Sequence, residues 1–156
     1  MIVAEFMTPE PFVVHESEPL RRIIESFCGH GVFQIPVTDQ SNRLVGIISD
    51  RDVCAAMARD SDEAMTLLVA DIMTPSPVTV TPSTPLEDAV EILCQARFGA
   101  LPVVVGEHVV GMITARHLLK KLLEVLQACS EHPRTFANSY TFESMASGVK
   151  SDRVPG

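Results

Sequence analysis

The side chains best suited to chemistry stand together in one short stretch, Ser49, Asp50, Arg51 and Asp52. Ser49 or Asp50 is predicted to cap a helix, which places Arg51 and Asp52 in its first turn. A helix start presents free backbone N–H groups and the positive end of the helix dipole, and both favour an anion such as phosphate. Arg51 adds a charged donor. The stretch indicates a site for a phosphate-bearing ligand, although the dipole alone also favours an acid in a first turn.

Side chains able to catalyse a reaction or hold a metal are present but are not grouped. Cys54 lies near Asp52 in the sequence, but no base is placed beside it to generate a nucleophilic thiolate. His117 has no partner at metal-ligand spacing. The four cysteines form no C-x-x-C pair, and Cys28 and Cys94 fall on predicted apolar helix stripes, where we expect buried thiols. The sequence predicts no enzyme, no catalytic residue and no metal site.

The composition fits a globular protein whose partner is not a nucleic acid. The chain has 156 residues, of which 46% are apolar and 21% are charged, within the range of one ordinary domain. Its formal net charge of −8 disfavours nucleic acid but leaves room for a small phosphate-bearing ligand. No apolar run has the length of a membrane span, and the N-terminus lacks the features of a signal peptide. We expect a cytoplasmic protein with no membrane partner.

The chain repeats itself. Three segments recur at an offset of 66 or 65 residues: 3–9 as 69–75, 35–37 as 101–103, and 45–49 as 110–114. Two copies of one unit predict that each copy buries its apolar face against the other. We predict a first repeat over residues 1–58, a linker over 59–65 and a second repeat over 66–128. Residues 129–156 are polar and are predicted to be a disordered tail.

Within each unit the hydrophobic periodicity changes in a fixed order. In the first unit, residues 12–14 predict a short strand, and Ser17 is predicted to cap the helix that follows, which has one apolar stripe. Residues 33–37 and 44–48 predict a hairpin, and a second helix completes the unit. The order strand, helix, strand, strand, helix predicts a mixed α/β (α+β) fold in both repeats.

Three motifs together resemble paired cystathionine-β-synthase (CBS) domains. Each unit begins with Met-Thr-Pro and has Ile-Pro-Val or Leu-Pro-Val in its central strand, and the first ends in Gly-Ile-Ile-Ser-x-x-Asp. The resemblance covers residues 1 to about 128. It implies a Bateman module, in which two three-stranded sheets face each other across a pseudo-twofold axis with the helices outside. Members of this family are usually regulatory and commonly bind AMP, ADP, ATP or S-adenosylmethionine in two clefts between the repeats.

The resemblance implies a main cleft built on the helix start at Ser49. The family places a carboxylate at the end of Ser/Thr-x-x-Asp, where it accepts hydrogen bonds from the two ribose hydroxyls, and Asp52 stands at this position. The opposite wall is implied to come from the second repeat, whose small Gly99 and Ala100 let an adenine approach closely. The residues implied for the main cleft are Ser49, Arg51, Asp52, Thr74, Val78, Phe98, Gly99, Ala100 and Pro102.

The second cleft departs from the family pattern, because His117 stands where the carboxylate is expected. A neutral imidazole accepts a hydrogen bond at only one nitrogen, and a charged imidazole accepts none. Its other wall is bulkier and more polar than that of the main cleft: Phe12, Val32, Phe33 and Gln34. We expect this cleft to be empty, or to take a phosphate-rich or non-ribose ligand. The residues implied for it are Thr8, Phe12, Gln34, Thr114, Arg116 and His117.

The last helix has more apolar positions than one buried stripe needs: Leu118, Leu119, Leu122, Leu123, Val125 and Leu126. The second apolar face predicts a homodimer or docking to a target protein, unless the tail folds back over it. Two functions stay open. The chain is either a stand-alone regulatory module that senses an adenine nucleotide, with S-adenosylmethionine as an alternative ligand, or an interaction and scaffolding protein without a ligand. No enzyme cofactor is expected.

Overall fold

The computed structural model of the chain describes residues 1–30, 33–59, 64–96 and 98–129. In chain order the elements are a 3-10 helix at Val3–Glu5, β1 Thr8–Pro9, β2 Val14–His15, α1 Leu20–His30, β3 Gln34–Thr38, β4 Leu44–Ser49, α2 Asp50–Arg59, α3 Val69–Ile72, β5 Thr74–Pro75, α4 Leu86–Gln95, β6 Ala100–Val105, β7 His108–Thr114 and α5 Ala115–Cys129. Within these ranges no helix has the length and apolar character needed to cross a membrane.

The predicted mixed α/β fold and its order of elements are confirmed, with one reduced strand. The first strand of the second repeat shrinks to a single parallel bridge between Val80 and Val103. One compact unit, Met1–Leu122, contains both sheets, and a second unit starts at Leu123. Most of the predicted linker (residues 60–63), Val32 of the second cleft and the predicted tail from residue 130 lie outside the described residues.

Each of the two sheets takes one short strand from the other repeat. The strand orders are β1-β7-β6 and β2-β3-β4-β5. β1 belongs to the first repeat but pairs antiparallel with β7, placing Thr8 opposite Met112. β5 belongs to the second repeat but pairs with β4, placing Thr74 opposite Ile47. One sheet has the expected three strands, whereas the other has four because β2 forms a two-residue ladder with β3.

The segments that begin the two repeats, residues 3–9 and 69–75, are exchanged between the cores. We call them the lead segments. Val3 is fully buried in the core of the second repeat, against residues such as Ile113. Val69 is fully buried in the core of the first repeat, with Ile48. Burial of each valine stabilises the fold by roughly 1.5–3 kcal/mol, so each repeat depends on the other for part of its core.

The start of α1 differs from the prediction, because Ser17 does not cap it. The helix begins at Leu20, whose backbone N–H donates to the carbonyl of Leu67 at 2.9 Å. The equivalent bond in the second repeat joins Leu86 to Met1 at 3.2 Å. At each of these helix starts, a backbone carbonyl next to the lead segment of the other repeat thus accepts the bond that a side-chain cap would accept. A local sequence pattern cannot reveal such a contact between distant segments.

Both lead segments place a methionine over a glycine of the facing strand. A Cβ on Gly46 would collide with the sulfur of Met73 and would lie 3.1 Å from the carbonyl oxygen of Thr74. Gly111 has the same relation to Met7. Because the two partners come from different repeats, the recurrence of methionine and glycine in both units reflects the exchange.

Cys94 is exposed, so the prediction of a buried thiol at this position is wrong. α4 buries Ala89 and Leu93, whereas Val90 lies one position further round the helix and is 37% exposed. The apolar stripe of the sequence was wider than the face that the helix buries. The side chain of Cys28 lies outside the described residues.

The turns of the two hairpins meet at the end of the body away from Ser49. The backbone N–H of Leu44 donates to the carbonyl of Glu107 at 2.8 Å. Arg43 contacts Asp39 at 2.7 Å and Glu107 at 3.9 Å. Hydrogen bonds from the backbone N–H and the guanidinium of Arg43 hold the pKa of Asp39 below its usual value. The two sheets are therefore joined at this end by a backbone hydrogen bond and by the charged contact of Arg43 with Glu107, and neither involves the candidate site.

Candidate functional site

Ser49 and Asp52 form a capping box at the junction of β4 and α2. Asp52 Oδ2 accepts hydrogen bonds from the Ser49 hydroxyl at 2.6 Å and from the Ser49 backbone N–H at 2.8 Å. In return, Ser49 Oγ accepts from the Asp52 backbone N–H at 3.3 Å. The sequence allowed either Ser49 or Asp50 as the cap of this helix, and Ser49 is the residue that caps it. The role of Asp52 as an acid in the first turn of the helix is confirmed.

The capping box leaves half of the Asp52 carboxylate available. Within the described part of the chain, Oδ1 accepts no hydrogen bond. The side chain is half-buried, and its orientation is fixed by the two bonds from Ser49. A carboxylate held in this way is a preorganised acceptor for a ligand hydroxyl, because little further side-chain entropy is lost on binding.

The first backbone N–H groups of α2 are not free, so this part of the prediction is wrong. The N–H of Asp50 donates to the Phe33 carbonyl at 3.1 Å, and that of Arg51 donates to the Asp50 carboxylate at 2.9 Å. The N–H of Asp52 donates to Ser49, as described above. A phosphate at this helix start would therefore be held by the exposed Arg51 guanidinium and the helix dipole rather than by backbone donors.

The second repeat contributes the remaining residues predicted for the main cleft. Thr74 lies on β5, beside the strand that ends at Ser49, and its side chain is exposed. Val78 is 46% exposed and Phe98 is 40% exposed. Ala100, by contrast, is buried in β6, as is Pro102, so the side chains of these two present little surface to a ligand.

Gln34, which the sequence assigned to the second cleft, lies between residues of the main cleft. It starts β3 and is paired with Ser49 across the hairpin. Its carboxamide nitrogen and oxygen each lie 3.0 Å from the position that a Cβ on Gly99 would occupy. The structure therefore brings together Gln34 and Gly99, which the sequence placed on different clefts.

Several residues predicted for the second cleft contact one another, and two of these contacts join the two repeats. Thr8 Oγ1 lies 3.2 Å from His117 Nδ1, and the His117 backbone N–H donates to Thr114 Oγ1 at 3.1 Å. The Arg116 guanidinium lies over the Phe33 ring, 5.6 Å from its centroid, in a cation–π contact. These polar and cationic side chains already have protein partners, unlike the free oxygen of Asp52.

Phe12 lines a different depression from the one predicted for it. This depression, of about 490 Å³, lies beside α1 and is lined by Phe12, Val13, Glu18, Arg22, Glu25 and Ser26. It contains none of the residues assigned to the main cleft. Its lining carries charges of both signs, so it does not select a ligand charge.

Comparison with known proteins identifies the repeated unit. The family model for the CBS domain matches residues 3–59 and 69–124. A homoserine O-acetyltransferase of Methanocorpusculum labreanum is 33% identical over 128 residues, covering 81% of this chain and 25% of that protein. The chloroplastic CBS domain-containing protein CBSX2 of Arabidopsis thaliana is 30% identical over 152 residues, covering 79% of this chain and 64% of that protein. The chain thus spans a quarter to about two thirds of these relatives.

Solved structures share the architecture. The crystal structure of CBSX2 in complex with AMP matches with a TM-score of 0.71 and 33% identity, over 80% of this chain and 98% of that chain. A CBS domain pair in complex with 5-methylthioadenosine and S-adenosyl-L-methionine matches with a TM-score of 0.71, over 78% of this chain and 99% of that chain. Its identity of 21% supports the fold alone.

Proposed function

Because this chain belongs to the CBS domain family, with two CBS repeats in tandem, we propose that it is a regulatory module that senses an adenine nucleotide in the cleft at Ser49 and Asp52. One observation carries the proposal: Ser49 fixes the Asp52 carboxylate at one oxygen and leaves the other available, at the position where the family holds ribose. The related CBSX2 structure holds AMP, which supports the same ligand class. A cytoplasmic location and an effect on a partner protein complete the proposal.

The charges of the main cleft favour a nucleotide with one phosphate. Arg51 is the only cationic side chain among the residues assigned to this cleft, and the first N–H groups of α2 already have acceptors. A triphosphate carries more negative charge and needs more donors than this cleft offers. AMP is therefore the proposed ligand ahead of ADP and ATP. S-adenosylmethionine carries no phosphate and offers Arg51 only its amino-acid carboxylate, in a molecule that also carries a cationic ammonium and a cationic sulfonium.

At the second cleft, the contacts between side chains favour a scaffolding role without a ligand. This argument does not extend to the main cleft. The contact of His117 with Thr8 and that of Arg116 with Phe33 join the two repeats directly. A ligand that used His117 or Arg116 would compete with these contacts. We therefore propose one nucleotide site for each chain.

Calorimetric titration of the purified chain with AMP tests the proposed function. We expect saturable binding of one AMP per chain and a raised melting temperature. At an AMP concentration of 100 times Kd, the free energy of unfolding should rise by roughly 2.7 kcal/mol. ATP and S-adenosylmethionine are titrated in parallel as competing candidates. Absence of binding by all three at millimolar concentration would favour the scaffolding function instead.

The outer face of α5 supports a homodimer as part of the proposal. Leu119 is 66% exposed and Leu122 is 53% exposed, and an exposed apolar face of this kind marks an interaction surface. Burying each leucine in a dimer would contribute roughly 1.5–3 kcal/mol. We expect sedimentation at micromolar concentration to show a dimer that Leu119→Glu with Leu122→Glu converts to a monomer. Lys120→Glu, on the same helix but off the apolar face, should leave the dimer intact. A monomeric parent chain would contradict the prediction.

A further inference from the structure

The carboxamide of Gln34 stands at the main cleft with both of its hydrogen-bonding groups available. Gln34 is half-buried, and its carboxamide makes no hydrogen bond to any residue in the described part of the chain. It is held between the two repeats, since its backbone is paired with Ser49 and its carboxamide nitrogen and oxygen both lie close to Gly99. A partly buried amide gains most from a partner that satisfies its donor and its acceptor together.

An adenine offers such a partner. Its 6-amino group donates a hydrogen bond beside N7, which accepts one, and a glutamine carboxamide matches this pair with its oxygen and its NH₂ group. Hypoxanthine carries a carbonyl oxygen at the same position. The carboxamide would have to reverse to meet that oxygen, and its own oxygen would then face the N7 acceptor. The group at position 6 of the purine is therefore the feature that Gln34 can distinguish.

We propose that Gln34 determines the base specificity of the main cleft, selecting a 6-aminopurine nucleotide over a 6-oxopurine nucleotide. The inference rests on the proposed function, because it concerns the same cleft. The second repeat has no equivalent: the offset of 66 places Ala100 at this position, and Ala100 is buried. The space that Gln34 occupies exists because Gly99 stands where the first repeat has Phe33. Both differences favour one base-reading site in each chain.

The test compares AMP with IMP, which differ in the group at position 6 of the purine and in the hydrogen that IMP carries on N1. We expect the parent chain to prefer AMP by about tenfold or more, the range of a good bidentate contact. Gln34→Ala should lower AMP affinity by about tenfold and bring the ratio of the two affinities close to one. Gln40→Ala, the same substitution in the exposed turn of the same hairpin, should change neither affinity.

A second variant moves the carboxamide without removing it. The Cβ of Gly99→Ala would lie 3.0 Å from both amide heteroatoms, so the flexible end of Gln34 must shift. We expect this variant to keep the parent melting temperature without ligand and to lose AMP selectivity. If the parent chain binds AMP and Gln34→Ala keeps the same AMP to IMP ratio, the inference is wrong and the proposed function stands. If the parent chain binds no adenine nucleotide, both are wrong.

Discussion

Asp52→Ala is expected to lower the affinity for AMP at least tenfold, whereas His117→Ala should leave it nearly unchanged. Asp52 Oδ1 is the free, oriented acceptor of the main cleft, and a hydrogen bond to a charged group contributes roughly 1.5–3 kcal/mol. The loss of one such bond to a ribose hydroxyl corresponds to tenfold or more in Kd. His117 is already bonded to Thr8, in the cleft that we expect to be empty. Calorimetric titration of both variants with AMP measures the difference.

Two further variants separate ligand binding from helix capping. Asp52→Ala also removes the capping box, which should cost about 0.5–2 kcal/mol of stability without ligand. Asp52→Asn keeps one acceptor oxygen for Ser49 but replaces the free oxygen with a neutral donor, so it should lose the charge-assisted bond to the ribose and bind AMP more weakly than the parent chain, with a smaller loss of stability than Asp52→Ala. Asp50→Ala removes the same charge from the same turn but leaves the Asp52 carboxylate in place, so it should not weaken AMP binding. Normal binding by Asp52→Ala, or two equal sites per chain, would show that the site is wrongly assigned.

The features that the sequence predicted correctly are those that depend on local pattern. The periodicity of each unit gave the order of its strands and helices, because apolar spacing follows directly from helix and strand geometry. The capping of α2 was also predictable, since Ser49 and Asp52 have the residue types and spacing of a capping box. The recurrence of the whole pattern then identified the family, because two ordered copies rarely arise without a shared fold.

The features that the sequence missed depend on contacts between distant segments. No local pattern shows that the carbonyl of Phe33 accepts from the N–H of Asp50, so the helix start was wrongly predicted to have free donors. Gln34 was assigned by its position in the first repeat, but its side chain extends to Gly99 of the second. A two-residue strand such as β5 carries too little periodicity to show which sheet it joins.

The exchange of lead segments predicts which methionine is coupled to which glycine. A Cβ on Gly46 would displace Met73, so Gly46→Ala should lower the free energy of unfolding by about 1–3 kcal/mol through overpacking. Met73→Ala removes the side chain that Gly46→Ala strikes. The double variant should therefore be more stable than the sum of the two single losses predicts, with a coupling energy of about 0.5 kcal/mol or more.

Met7→Ala is the matched control, because Met7 covers Gly111 in the other sheet. Gly46→Ala and Met7→Ala should be additive within about 0.5 kcal/mol, as expected for sites that share no contact. If the lead segments stayed within their own repeats, Gly46 would instead couple to Met7, the methionine that precedes it in the same repeat. Denaturant unfolding of the three single variants and the two double variants therefore distinguishes the two arrangements. Coupling of Gly46 to Met7 in place of Met73 would reject the exchange, and with it the position of Thr74 beside the strand that ends at Ser49.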